Sequence, residues 1–143
     1  MRYYLDTNIL VFLWTGDSDS VDNDTRAIIN DYANTLLTSS VCVVEFTHLL
    51  HIGKIKPSHG RKDGAHVPNV VAWLGGMGID IVHTTAQHLR QFNTLPLHTK
   101  EHRDPFDRFI IAQAIADRIP LISSDRKFSL YTNDGLDLIL NKR

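Results

Sequence analysis

The sequence predicts an α/β domain built on a mostly parallel sheet. Three observations predict it. Short β-prone segments alternate with segments of helical period along the whole chain. The apolar strands repeatedly end in an aspartate, serine or threonine that opens the next helix. The 143 residues are 43% hydrophobic, which is enough for one core in one domain spanning 1–143.

Arg2 to Leu5 is short and β-prone, and it ends at Asp6. Thr7 and Asn8 then lead into the apolar Ile9–Trp14, so strand, turn and helix are expected in that order. Gly16 to Asp24 reads as a loop. Ile28, Ile29, Tyr32 and Ala33 share a helical face, predicting a second helix over Thr25–Ala33. Thr35–Thr38 is a second strand. Ser39 or Ser40 caps a helix from Val41 to about Ile52, with Glu45 in its second turn. Gly53 and Pro57 open a basic loop that runs to Gly64. Val67–Leu74 is a shorter helix, and Ile79–His83 alternates as a strand. Thr84 or Thr85 caps a helix to about Phe92. A polar loop from Asn93 to Arg103 precedes the most continuously apolar helix, which ends near Arg118. Pro120–Ser124 is a strand ending at Asp125, a brief helical turn runs through Phe128, and Leu136–Leu140 is a last strand.

Composition narrows the function classes. No apolar run approaches the ~20 residues of a membrane span, and an aspartate at position 6 comes too early for a signal peptide. Cys42 is the single cysteine, so a disulfide scaffold and a cysteine-based zinc site are both excluded. A soluble, cytoplasmic protein is the expectation. Net charge is −1, but the charges are segregated. Of 16 acidic residues, only Glu45 and Glu101 are glutamate, so the acids belong to caps, turns and metal sites rather than to solvated helix faces. No acid lies between Glu45 and Asp63, where Lys54, Lys56, Arg61 and Lys62 stand with three histidines.

The helix start Arg103-Asp104-Pro105-Phe106-Asp107-Arg108 concentrates this pattern. Asp104 suits the N-cap and Pro105 the first helical position. Three further steps bring Asp107 within roughly 60° of Asp104 on the helical wheel. In parallel sheets, ligands bind beyond the carboxyl ends of the strands. Asp6, Glu45, Asp104, Asp107 and Asp125 would all reach that rim, from four separate segments. Carboxylates gathered in a cleft either take up protons or bind cations, and oxygen donors select hard ions such as Mg²⁺ or Mn²⁺. Such a site suits phosphodiester hydrolysis. The basic run Lys54, Lys56, Arg61 and Lys62, with Arg103 and Arg108 beside the acids, would meet a nucleic-acid backbone. His48 and His51 have no further nitrogen or sulfur ligands, and Trp14 and Trp73 read as core.

These residues resemble the PIN-domain ribonucleases, and within them the toxins of VapBC toxin–antitoxin pairs. The resemblance rests on Leu5-Asp6-Thr7-Asn8, on Glu45 five residues after a serine, on His102 to Arg108 with its Ile-Ile-Ala-Gln-Ala helix, and on Ile122-Ser123-Ser124-Asp125. It implies a three-layer α/β/α sandwich and Mg²⁺- or Mn²⁺-dependent cleavage of RNA. Asp6, Glu45, Asp107 and Asp125 match the family's acidic positions, with Asp6, Asp107 and Asp125 expected to hold metal. Asn8 and Ser124 match polar neighbours that support the site, and Asp104 is expected to cap its helix and support it too. A homodimer and an inhibiting antitoxin partner are also implied. Two other classes share the acids. A receiver-type signalling domain would need a lysine at a later strand end, where Arg126 and Lys127 are misplaced. A catalytically silent module would bind RNA or a partner without turnover. DNA as substrate would leave the same acids.

Overall fold

A computed structural model of the chain describes residues 1–56, 69–100 and 103–143. Its strands are β1 (Arg2–Leu5), β2 (Thr35–Ser39), β3 (Ile79–Val82), β4 (Leu121–Ser123) and β5 (Leu138–Leu140). They form one sheet in the order β3-β2-β1-β4-β5, parallel at every pairing. The helices are α1 (Thr7–Thr15), α2 (Asn23–Asn30), α3 (Ser40–His51), α4 (Val70–Gly76), α5 (Ala86–Thr94) and α6 (Pro105–Asp117). A 3₁₀ turn covers Ser18–Ser20 and a longer 3₁₀ segment covers Arg126–Asp134. The architecture is the expected α/β/α sandwich.

The strand order locates the ligand crevice. From β1 the chain moves out to β2 and then β3; from β4 it moves the opposite way, to β5. Right-handed crossovers therefore leave the adjacent strands β1 and β4 toward opposite faces of the sheet. The gap this opens lies beyond their carboxyl ends, and Asp6 and Asp125 stand there.

The core fills the sheet faces with Tyr4, Leu5, Leu36, Leu37, Leu121 and Ile122, packed by Ile9, Leu10, Phe46, Ile110 and Ile111. Trp14 and Trp73 join Phe46 in an aromatic cluster, with centroids 4.9 to 5.7 Å apart. The Trp14 Nε1–H donates to the Lys56 carbonyl at 2.9 Å and so pins the start of the basic segment.

Element edges differ from expectation where a different polar residue provides the cap. Helix α2 begins two residues early because Asp22 caps it, accepting from the Thr25 N–H at 2.7 Å. Helix α4 begins at Val70 under Asn69, which accepts from Ala72 at 3.0 Å, and it continues through Gly76. Val67 and Pro68, where that helix is expected to begin, and the basic loop beyond Lys56 lie outside the described residues. The segment after Asp125 is longer than a brief turn and stops at Gly135, whose φ of 106° suits glycine.

A buried polar network, which the pattern of the sequence does not announce, ties the far end of α6 to the sheet. His88 is 1% exposed. Its Nδ1 accepts from the Thr85 backbone N–H at 3.1 Å, so its proton sits on Nε2 and is donated to Asp117 at 2.9 Å. The Tyr4 hydroxyl donates to the same carboxylate at 2.5 Å and accepts from Gln113 at 3.2 Å. Burial and the Asp117 acceptor hold Tyr4 as a neutral phenol. The Asp117→Ala variant leaves two buried donors unpaired and is expected to lose about 2–3 kcal/mol of stability. Urea unfolding at neutral pH measures this, and an unchanged midpoint contradicts it.

Candidate metal and phosphodiester site

Each acid at the rim is held by the start of a helical element. Asp6 caps α1: its Oδ1 accepts from the Thr7 N–H at 2.7 Å. Its Oδ2 accepts from the Ser123 hydroxyl at 2.7 Å and the Asn8 amide at 3.2 Å. Ser39 caps α3 and so sets the phase that turns Glu45 toward the crevice. Asp104 caps α6, with Pro105 next and Asp107 in the first turn. Asp125 caps the 3₁₀ segment through the Lys127 N–H at 2.9 Å.

These elements enclose a crevice of about 240 Å³ lined by Asp6, Thr7, Asn8, Glu45, Asp107 and Asp125, with Val11, Phe12, Leu49 and Arg143 as its remaining wall. The four acids expected to be catalytic thus share one cavity. Glu45, Asp104 and Asp107 each bring one oxygen into a group whose members lie within 4.8 Å of one another. Asp104 also caps its helix, its Oδ1 accepting from the Phe106 N–H at 2.9 Å.

The electrostatics follow from crowding. Burial raises the Asp6 carboxyl to about 6; hydrogen bonds from Ser123 and Thr7 oppose the rise, while the charges of Glu45 and Asp125 add to it. Asp107 is raised to about 8, by burial first and then by Asp6, Asp104, Glu45 and Asp125. Even with three donors the Asp6 carboxyl stays raised, because burial and the neighbouring acids outweigh them. The donor set, all carboxylate oxygens, fits a hard divalent cation. Burial also pushes the Cys42 thiol up to about 12, which keeps it protonated and out of nucleophilic chemistry.

The supporting residues are partly as expected. Asn8 reaches Asp6 directly and accepts from the Ser124 N–H at 3.2 Å. The hydroxyl that holds Asp6 is that of Ser123; the Ser124 hydroxyl accepts instead from Asn141 at 2.8 Å. Adjacent residues of an extended chain face opposite ways, so the hydroxyl that reaches Asp6 is one residue before the expected Ser124. Among the basic residues, Lys54, Lys56 and Arg103 are exposed, whereas Arg61 and Lys62 fall outside the described residues. Arg108 points elsewhere than to a phosphate. Its guanidinium donates to the Leu95 carbonyl at 2.7 Å and lies over the Phe92 ring at 5.3 Å, locking α6 to the end of α5. Arg143, which no motif marked, lines the crevice.

Fold and site together define a class: a parallel α/β domain whose switch point is an acidic crevice. Within that class the chain belongs to the PIN-domain family, whose model matches residues 3–133. No match was found among curated protein sequences. Solved structures share the fold at low identity. VapBC2 of Rickettsia felis, bound to a DNA fragment from its promoter, has a TM-score of 0.68 and 21% identity, covering 99% of this chain and 100% of that one. A toxin–antitoxin complex from Klebsiella pneumoniae has a TM-score of 0.59 and 14% identity, covering 96% and 95%. VapC20 of Mycobacterium tuberculosis, described as a sarcin–ricin loop cleaving toxin, has a TM-score of 0.60 and 16% identity, covering 94% and 97%.

Two outcomes follow from the raised carboxyls. A group with a raised folded-state value stabilises the fold below its unfolded value and loses that contribution as pH rises through the folded one. In EDTA, the wild type should therefore lose melting temperature relative to Asp107→Asn as pH goes from about 4 to 8. Added Mn²⁺ should raise the wild-type melting temperature more at pH 8 than at pH 5, since ligands must be deprotonated. Parallel melting curves for the two proteins across that range contradict this account. Separately, Ser123→Ala removes a donor from Asp6 and should move its carboxyl further above about 6, as read by carboxyl-carbon NMR titration.

Proposed function

We propose that the protein is a metal-dependent endoribonuclease that hydrolyses RNA phosphodiester bonds, and that it acts as the toxin of a toxin–antitoxin pair. One observation carries the catalytic reading: Asp6, Glu45, Asp107 and Asp125, from four separate segments, line one crevice at the switch point of the sheet. Family membership and the names of the structural neighbours support RNA as substrate and an antitoxin as partner.

Asp107, Glu45 and Asp104 would hold a Mg²⁺ or Mn²⁺ ion on the α3–α6 side of the crevice, with Asp6 and Asp125 on the β1–β4 side. When bound, the ion supplies positive charge that polarises the phosphodiester and eases deprotonation of water. The chain's own groups do the rest. Asp6 is immobilised by Thr7, Asn8 and Ser123, so its position costs no reordering during the reaction. Glu45, half-buried in the crevice wall, orients the attacking water and accepts its proton. Water attacks the phosphorus, the bond to the 3′ oxygen breaks, and that oxygen leaves with the electron pair and takes a proton from solvent. The products are a 5′-phosphate and a 3′-hydroxyl. Exposed Lys54, Lys56 and Arg103 supply charge for the RNA backbone, and Arg61 and Lys62 belong to the same basic run. The acidic crevice also offers a docking point for a basic side chain of an antitoxin, and two copies of the chain would form the toxin dimer.

Asp6→Asn and Asp107→Asn should each lower kcat/KM for RNA cleavage in Mn²⁺ about a hundred-fold or more, because several kcal/mol of charge stabilisation are lost. Circular dichroism should show the fold intact. Wild-type rates in both variants would sink the assignment. RNA binding without turnover by the wild type in either ion would point to a silent binding module instead.

A further inference from the structure

Among the described residues, Arg143 is the one basic side chain lining the acidic crevice. Its guanidinium carbon lies 4.9 Å from the centroid of the Phe12 ring, and Phe12 is itself part of the crevice wall. Stacking holds the plane of the guanidinium while leaving its edge donors available. Among the described residues it forms no ion pair with any of the neighbouring carboxylates.

This placement is built by the residues around it. Asn141 is 2% exposed and saturated with bonds. Its N–H donates to the Ser123 carbonyl at 2.8 Å, extending the line of β5 past the end of β4. Its Nδ2 donates to the Ser20 carbonyl at 2.6 Å and the Ser124 hydroxyl at 2.8 Å, and its Oδ1 accepts from the Asp22 N–H at 2.8 Å. The Lys142 N–H donates to Asp22 Oδ2 at 2.6 Å. Partial burial of Asp22 opposes ionisation, but the Lys142 and Thr25 N–H groups outweigh it and hold the carboxyl below its usual range. The backbone that carries Arg143 is therefore clamped on both sides, to β4 and to the cap of α2.

An exposed guanidinium set over Phe12 by the held backbone before it, beside four carboxylates, has the wrong sign to hold a cation and the right shape to grip an oxyanion. We propose that Arg143 is a phosphate-binding residue of the crevice, gripping a backbone phosphate of RNA next to the phosphodiester that is cleaved. This rests on the nuclease reading. It places one wall of the substrate path along Phe12 and Arg143, separate from the basic run after α3.

The test compares wild type with Arg143→Gln, Arg143→Lys and, as a charge control one residue away, Lys142→Gln. A fluorescent single-stranded RNA oligonucleotide is the probe, in Mn²⁺. Cleavage gives kcat and KM, and anisotropy gives affinity across a salt series. Arg143→Gln should weaken affinity and raise KM about ten-fold, the loss expected for a charge-assisted contact. It should reduce the slope of log affinity against log salt by about 0.7, the value for one single-strand phosphate. Arg143→Lys should restore the slope but only part of the affinity, and Lys142→Gln should match wild type. If the wild type cleaves and Arg143→Gln keeps its KM and salt slope, the proposal is overturned and the nuclease reading stands. If the wild type binds without cleaving while Arg143→Gln binds weakly with the shallower slope, the nuclease reading fails and the phosphate contact stands. Equal losses in Arg143→Gln and Lys142→Gln would reduce Arg143 to general surface charge and overturn the proposal, as would no RNA binding by the wild type.

Discussion

The structure depends on holding one buried carboxylate in place. Asp6 is 3% exposed and lies where β1 becomes α1. Burying an anion there is unfavourable unless donors replace the water it loses. Thr7, Asn8 and Ser123 supply those donors, and each contact also joins two parts of the fold. The Thr7 bond starts a helix. The Ser123 bond sets the end of β4 against the end of β1. The backbone repeats that join, since the Asp6 N–H donates to the Ile122 carbonyl at 3.0 Å. The same bonds that make the burial tolerable define the crevice.

Helix α6 serves the site from its other side, and its two ends have different tasks. At its start Asp107 lines the crevice with Asp104 close beside it, and Arg108 ties that turn to the end of α5. At its far end Asp117 gathers His88 and Tyr4. Between them the buried run Phe109–Ala114 packs against the sheet and leaves the helix no room to slide. Crowding of the acids is met at the first turn by a raised Asp107 carboxyl, while the last turn is held by the Asp117 network. A strained, charged site on a rigid support is a familiar compromise between stability and function.

The alternation of strands and helices was legible in the sequence because each element carries its own period and cap. Asp6, Ser39, Asp104 and Asp125 all cap where their residue types predict. The convergence of the acids followed from one rule, that strands in a parallel sheet point their carboxyl ends the same way. What stayed hidden depends on contacts between residues distant in sequence. No local pattern says that His88 meets Asp117, that Ser123 rather than Ser124 bonds Asp6, or that Arg108 turns away to Leu95 while Arg143 turns in. A lone arginine or histidine carries no period, so its partner is fixed only by the packed fold. The edges of α2 and α4 moved because Asp22 and Asn69 are caps that compete with neighbouring polar residues of similar strength.

The bond between Asp6 and Ser123 spans 117 residues of chain. Strand β1 is made first yet lies at the centre of the sheet, between β2 and the late-arriving β4. During synthesis from the amino end, Asp6 has no Ser123 to hold it and no Asp125 beside it until nearly the whole domain has emerged. The crevice is thus among the last features of the fold to be assembled. The interval between the first strand and the fourth is a time in which the nascent chain exists without its crevice.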